Sequence, residues 1–347
     1  MTRPIGYYVH HQGEGHRQRA LQVAAAAPTR FVLLGTGLAG RGGEVGVVDL
    51  PDDRADDGSG FGADGGPDLP KGLHYAPYGV AGLRQRVADL STWIATAAPA
   101  LVVVDVSVEV ALLARLASTP VVYVRLSGAR TDTAHLEAFR GAAALLAPWH
   151  PRLEHPDTPD WVRARTRYFA PARRAEVGSG DSDAVLVVHG RGGAPIDGDR
   201  LAAAASATPN LQWTAIGPVT PPSLAPPNLV LKGWIEDVNS EIEKAGVVVG
   251  AAGDGLVDAV LGADRPFVCL PEPRPYEEQA VKAAGLAQAG AAVVLAAWPE
   301  PKAWPGIIAA ARSLDPQARD GLRGEGVAAA GRWLVELADR RREDSDA

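Results

Sequence analysis

The chain has 347 residues, more than one hydrophobic core usually serves, so two domains are expected. An apolar share of 46% with 22% charged residues excludes disorder along the whole length. The formal net charge of −7 argues against non-specific nucleic-acid binding, and a single cysteine, Cys269, excludes a disulfide within the chain.

In chain order, short β-rich runs alternate with longer Ala- and Leu-rich helical runs. Strands are predicted at Ile5–Val9, Phe31–Leu34, Val45–Val48, Leu101–Val106, Pro120–Val124 and Ala144–Ala147. Between them, helices are predicted over His16–Ala26, over Val80–Ala97, from the end of Leu101–Val106 through Leu116, and around Thr133–Ala143. The rhythm restarts in the second half. Strands fall at Ala184–His189, Leu211–Ile216, Leu229–Lys232, Gly246–Gly250, Pro266–Leu270 and Ala291–Val294. Helices fall at Asp199–Ala207, Val238–Lys244, Leu256–Gly262 and Glu278–Ala289, with closing helical sequence over Ala318–Leu337. Repeated βαβ units predict an α/β fold with two mostly parallel sheets. The polar, Gly-rich stretch between Tyr168 and Ser182 reads as the join. The expected organisation is a domain over 1–170, a second over 183–325, and a helix with its tail over 326–347. The acidic, Gly-rich residues 51–70 read as a surface loop.

In open α/β sheets, ligands bind beyond the carboxyl ends of the strands. Candidate residues therefore lie in the loops there. Gly35–Gly40 reads GTGLAG and matches a dinucleotide fingerprint by letter, but another strand follows where a helix should start, so a glycine turn is the better account. The segment HHQGEGH follows the first strand. Gly13 and Gly15 let a substrate approach the backbone, Glu14 lies between them, and His16 opens the helix as a candidate general base. A metal site from His10, His11 and His16 lacks a completing ligand set, so no metal is expected.

The second half offers three loops on one edge. Gly190-Arg191-Gly192-Gly193 can cradle a diphosphate, with Arg191 pairing to it. Gly253-Asp254-Gly255 precedes a helix whose free N–H groups would meet an anion; Asp254 can instead serve as that helix's N-cap. After the prolines at 271, 273 and 275, Glu278 and Gln279 set a carboxylate beside an amide, a pairing suited to sugar hydroxyls. Asp105 and Glu109 also lie toward the crevice, where Asp105 is either a site residue or a cap for the next helix.

At these residues the chain resembles the GT-B glycosyltransferases, in particular the MurG-like branch, glycosyltransferase family 28. The likeness runs from about Ala184 to Leu295, through GWIEDV, VVVGAAGDGLVDAVLGADRPFVCLP and RPYEEQAVKAAGLAQAGAAVVL. In the first half it is mainly the glycine-histidine loop. The resemblance implies two Rossmann-like domains facing a cleft, with the acceptor on the N-terminal domain and a nucleotide-sugar donor on the C-terminal one. By the same resemblance, Ile235 meets the nucleobase through its backbone. Arg191 to Gly193, with Asp254 to Leu256, surround the diphosphate, Glu278 and Gln279 hold the sugar, and His16 activates the acceptor or contacts phosphate. One departure stands out: the ribose-binding Glu of the family, seven residues ahead of the proline matching Pro266, is Ala259 here, with Asp258 beside it as a substitute.

The function expected is inverting, metal-independent transfer of a sugar from a nucleoside-diphosphate donor, a UDP-sugar first, to an acceptor hydroxyl. No cofactor is implied beyond this co-substrate. The acceptor is a small or lipid-linked molecule that would contact Thr131 to His135 and the 51–70 loop. Peripheral membrane contact stays open. No apolar run approaches the about 20 residues that cross a bilayer, no signal sequence is read at the N-terminus, and the expected location is cytoplasmic. Two other readings fit the same motifs. One is a nucleotide-sugar hydrolase with water in place of the acceptor, since loops like GEGHRQRA also occur in MurG-like hydrolases. The other is a non-catalytic or partner-dependent donor-binding subunit, which the change at Ala259 would suit.

Overall fold

The computed structural model describes residues 2–11, 14–54, 69–174, 178, 180–190 and 195–346, with side chains described as far as Arg340. The N-terminal half comprises β1 (Ile5–Tyr8), α1 (Glu14–Ala24), β2 (Phe31–Gly35), β3 (Gly46–Asp49), α2 (Ala81–Ala97), β4 (Leu101–Asp105) and α3 (Val108–Leu116). It continues with β5 (Val121–Val124), α4 (Thr133–Gly141), β6 (Ala144–Ala147), α5 (Asp160–Arg165) and β7 (Thr166–Tyr168). All seven strands are parallel, in the order β3-β2-β1-β4-β5-β6-β7. Every residue of β1, β4 and β5 is buried, as expected where helices cover both faces of a parallel sheet.

The C-terminal half repeats the plan. It holds β8 (Asp181–Val188), α6 (Gly198–Ser206), β9 (Gln212–Ile216), β10 (Leu229–Gly233), α7 (Val238–Lys244), β11 (Ala245–Gly250) and α8 (Asp254–Ala263). Then come β12 (Phe267–Cys269), α9 (Glu278–Gln288), β13 (Val293–Val294), α10 (Trp304–Arg312), α11 (Pro316–Asp320) and α12 (Val327–Asp346). Its six parallel strands run β10-β9-β8-β11-β12-β13. The chain's last helix does not stay with this domain. On α12, Ala329, Ala330, Trp333, Leu334 and Ala338 join the core of the first sheet, beside Ala20, Val23 and Ala24 of α1.

In each sheet the strand order reverses once, between β1 and β4 and between β8 and β11. A reversal sends the flanking connections to opposite faces and leaves a crevice at the carboxyl ends of the two strands. The crevice of the first sheet collects the segment entering α1 and the end of β4; that of the second collects Gly190 and the start of α8. The two open into one cavity of about 1850 Å³ lined by both domains. No helix among the described residues is long and apolar enough to cross a membrane.

Candidate active site

The N-terminal wall is built on β1 and β4. Helix α1 starts at Glu14, two residues before the predicted His16, so Glu14, Gly15 and His16 form its first turn. Gly13 lies outside the described residues. Glu14 lines the cavity and takes Arg17 and Arg41, the latter at 2.8 Å. His16 also lines the cavity, and its Nδ1 lies 3.2 Å from Asp105 Oδ1. Asp105 ends β4 and is fully buried. It is not the cap of α3, because Ser107 is: its hydroxyl accepts the Val110 N–H at 3.2 Å. Between them Val106 has φ +76°, a costly conformation for a β-branched residue, located where the chain turns into the cleft.

Burial alone would raise the Asp105 carboxyl. The Arg19 guanidinium and the His16 imidazole outweigh it and hold the group at about 2. Asp105 is therefore an anion that can orient His16. Arg19, one helical turn beyond His16, reaches Asp105 Oδ1 at 3.3 Å and His16 Nδ1 at 3.0 Å. β1 ends at Tyr8, so His10 and His11 lie past the strand, and their two rings stack 5.1 Å apart. Burial, then repulsion from His16 and His11, pushes His10 down to about 3, so it is neutral near pH 7. Among the described residues one trio of potential metal donors gathers, His11, Asp52 and Asp53. Its carboxylates are already engaged, Asp52 by Arg54 and Asp53 by Arg86 at 2.7 Å.

Glu109 accepts the backbone N–H of Tyr75 at 2.7 Å and that of His74, tying the entry to α2 onto α3. His135 is buried and held by Asp132 at 2.7 Å and by Arg130. The GTGLAG segment is a turn: Leu38 N–H donates to Asp49 at 2.7 Å, and the chain continues into β3 without a helix.

The C-terminal wall presents the start of α8. Gly253 is the N-cap and has no side chain to fold back on the first-turn amides, so these face the cavity with the positive end of the helix dipole. This corrects the expected capping role of Asp254. Asp254 is the first helical residue, and its carboxylate goes to Lys282 of α9 and, across the cleft, to Arg19 Nη1 at 3.3 Å. Lys282 is buried, and burial and Arg19 both press its ammonium down. Asp258, one turn on from Asp254, lines the cavity beside Ala259. Burial pushes its carboxyl up to about 7 against the pull of Arg19. Leu256 packs against the core under Gly250, with Gly255 exposed at the mouth.

Glu278 lines the cavity at the start of α9, with Arg130 at 3.7 Å. Gln279 does not stand beside it there. It is 5% exposed and its Oε1 accepts the backbone N–H groups of Glu272 at 2.8 Å and Ala252 at 3.3 Å, so it clips two loops together. Ile235 is half-buried against the core, and its neighbours Trp234 and Glu236 line the cavity instead. Gly190 is exposed just past β8. Arg191, Gly192 and Gly193 lie outside the described residues.

The walls are joined beside the cavity. Tyr276 O accepts the Ala129 N–H at 2.7 Å, Glu278 O accepts the Ser127 hydroxyl at 3.0 Å, and the Arg130 guanidinium lies 4.5 Å over the Tyr276 ring. Tyr276 and Glu277 both take positive φ, +58° and +55°, to present this turn. Sequence reasoning missed Arg19, Lys282 and the Arg130–Tyr276 contact. Only Arg19 carried a local signal, its i+3 spacing from His16 on one helix face.

With this geometry in place, the chain can be set against solved structures. Across 97% of its length and 99% of the other chain, it matches the glycotransferase of kitacinnamycin with a TM-score of 0.72 at 16% identity. The spinosyn forosaminyltransferase matches with a TM-score of 0.67 at 14% identity, over 97% of this chain and 96% of that one. MurG of Acinetobacter baumannii matches with a TM-score of 0.64 at 16% identity, over 98% and 100%. No protein-family model matches the chain, and no curated protein matches it in sequence. What is shared at these identities is the fold. The two parallel-sheet domains about a cleft are the GT-B architecture expected from the sequence.

Proposed function

We propose that the protein is a glycosyltransferase that moves a sugar from a nucleoside-diphosphate donor, a UDP-sugar first, to an acceptor hydroxyl with inversion and without a metal. The observation that carries this reading is the His16–Asp105 pair facing the N-terminus of α8 across the cleft. The acceptor oxygen attacks the anomeric carbon as that carbon's bond to the diphosphate oxygen breaks. The acceptor proton goes to His16 Nε2, and Asp105 stabilises the imidazolium that forms. The negative charge developing on the leaving diphosphate meets the first-turn amides of α8, with Gly190 at the end of β8 on the same edge. A single displacement inverts the anomeric centre.

The donor's other contacts follow from the same wall. Trp234, 53% exposed and lining the cavity, offers a face for the nucleobase beside Ile235. Asp258 offers a carboxyl for the ribose where Ala259 has none. Glu278 lines the cavity at the start of α9 and offers a carboxylate for the sugar hydroxyls. The aliphatic side chains of Leu83, Val87, Leu90, Val110 and Leu113, on α2 and α3, line the acceptor half of the cavity.

Calorimetry with UDP, TDP and GDP, without added metal, tests the reading. Micromolar binding of one diphosphate by the wild type supports it and identifies the donor class for an acceptor screen. Binding of none sinks it. Release of diphosphate from a nucleotide sugar at an enzymatic rate with no acceptor present would make the protein a hydrolase on the same site.

A further inference from the structure

His16 Nδ1 has two neighbours with opposite demands. Asp105 Oδ1, at 3.2 Å, is a carboxylate oxygen and can only accept. Arg19 Nη2, at 3.0 Å, is a guanidinium nitrogen and can only donate. A neutral imidazole carries one ring proton. With the proton on Nδ1, the ring donates to Asp105 and Nε2 keeps the lone pair that a general base needs. With the proton on Nε2, Nδ1 accepts from Arg19 and nothing remains to take a proton from an acceptor. The place of the Arg19 guanidinium therefore selects between a base and an inert ring.

The other end of that guanidinium is not in the N-terminal domain's charge system at all. Arg19 Nη1 lies 3.3 Å from Asp254 Oδ2, in the first turn of α8. A diphosphate seated at this helix N-terminus adds negative charge beside Asp254 and draws the guanidinium toward the C-terminal wall. Arg19 is 8% exposed, so water screens little of that pull. The groups around it are Tyr7, Asp105 and His16 on one side and Asp254, Asp258 and Lys282 on the other.

We propose that Arg19 is a positioning residue that senses a nucleoside diphosphate at the start of α8 and sets the tautomer of His16 accordingly. With the donor site empty, Arg19 occupies Nδ1 and the proton rests on Nε2. With the diphosphate bound, the guanidinium turns to it and the tautomer changes. Nε2 gives one proton to water, Nδ1 gains one from water to donate to Asp105, and the ring stays neutral. Acceptor activation thus waits for the donor. The idea rests on the transferase reading for its ligand but not for the Arg19–His16 contact.

Histidine-selective nitrogen NMR separates the two tautomers, with the His16 signals identified by their loss in His16→Asn. UDP is the probe. In the wild type, UDP should shift His16 from the Nε2–H to the Nδ1–H form, a change of roughly tenfold in the tautomer ratio, within the usual range of coupling between protein sites. Arg19→Met should show the Nδ1–H form without UDP and no response to it. Arg19→Lys keeps a cation beside Asp105 but lacks the fork that bridges three groups, so it should fold even where Met does not and should also lose the response. An unchanged tautomer in both Arg19 variants overturns the proposal with the donor reading intact. Failure of UDP, TDP and GDP to bind the wild type overturns the donor reading and the gating with it. The ligand-free spectra then still decide whether Arg19 sets the tautomer.

Discussion

In the proposed reading, the two walls of the cleft use different chemistry. On the N-terminal wall the functional atoms belong to side chains held by burial: His16 against a fully buried Asp105, with neutral His10 beside it. On the C-terminal wall the functional atoms are largely backbone, the amides of a helix whose N-cap is Gly253. A proton needs a titratable atom at a fixed point, which a side chain at the end of a buried strand supplies. A diphosphate spreads its charge over several oxygens, and a helix terminus meets that spread at no cost in side-chain ordering. The carboxylate that intrudes on the second wall, Asp254, is neutralised from both domains, by Lys282 and Arg19. In the proposed reading, that pairing keeps the second wall from repelling a diphosphate.

If the walls divide the work this way, changes on one should leave the other's task intact. His16→Ala should lower turnover by roughly a hundredfold to ten-thousandfold, the usual contribution of a positioned base, while UDP affinity measured by calorimetry does not fall, since release of Arg19 from the ring can only favour the donor. A matching loss of affinity would break the division. Asp105→Asn should destabilise the fold by about 3 kcal/mol in urea titrations, because it leaves part of a buried Arg19 uncompensated. The pH dependence has a definite sign. Asp105 is held at about 2 against an ordinary 3.8, so its contribution is complete above about pH 4 and disappears as pH falls through 2. The gap between wild type and variant should close over that window.

The next effect tests the seam. Gly128 has φ +108°, and a side chain there would press on Tyr276 O and come within 3.1 Å of Glu278 Cα. Gly128→Ala should cost about 2 kcal/mol, the scale of local strain and overpacking, and X-ray scattering should show a more open molecule. Trp234→Ala acts on the C-terminal wall alone. It should weaken UDP by about 1 kcal/mol, the low end for a base stacked on an exposed aromatic ring, with no change in the pH profile of turnover.

Much of this was legible in the sequence, for identifiable reasons. Every predicted strand exists, because fully buried parallel strands such as LVVVD at 101–105 write themselves as apolar runs. The glycine loops fell at the strand ends because the fold requires turns there. Less visible were features made by contact at long range. α12 returns to the first domain to pack Trp333 near Phe169, 5.6 Å between rings, and nothing local in its sequence says so. Gln279 looks like a sugar ligand by residue type, yet it is spent on the Ala252 and Glu272 amides, because the loops it joins need a partner there. Asp105 read equally well as a helix cap until Ser107 was seen to fill that role. Arg19 reads as an ordinary helix residue until Asp105 and Asp254, 86 and 235 positions away, are brought to it.

The last predicted effect is the most diagnostic for the C-terminal wall. Asp258 is raised to about 7 by burial, with Arg19 pulling the other way. The folded state thus holds this proton more tightly than the unfolded chain does. The resulting stability is fully present below about pH 4 and is lost as pH rises through 7. Asp258→Asn cannot ionise. It should match the wild type below about pH 4 and exceed it progressively up to about pH 8, by on the order of a few kcal/mol, read as a higher Tm by calorimetric scan. If the carboxyl serves the donor's ribose, the same variant should bind UDP less tightly at pH 8 while melting higher. A side chain kept for packing alone would not trade stability for affinity in this way. A variant that gains stability with unchanged UDP affinity would remove Asp258 from the donor site and leave the wall to its backbone amides and Trp234.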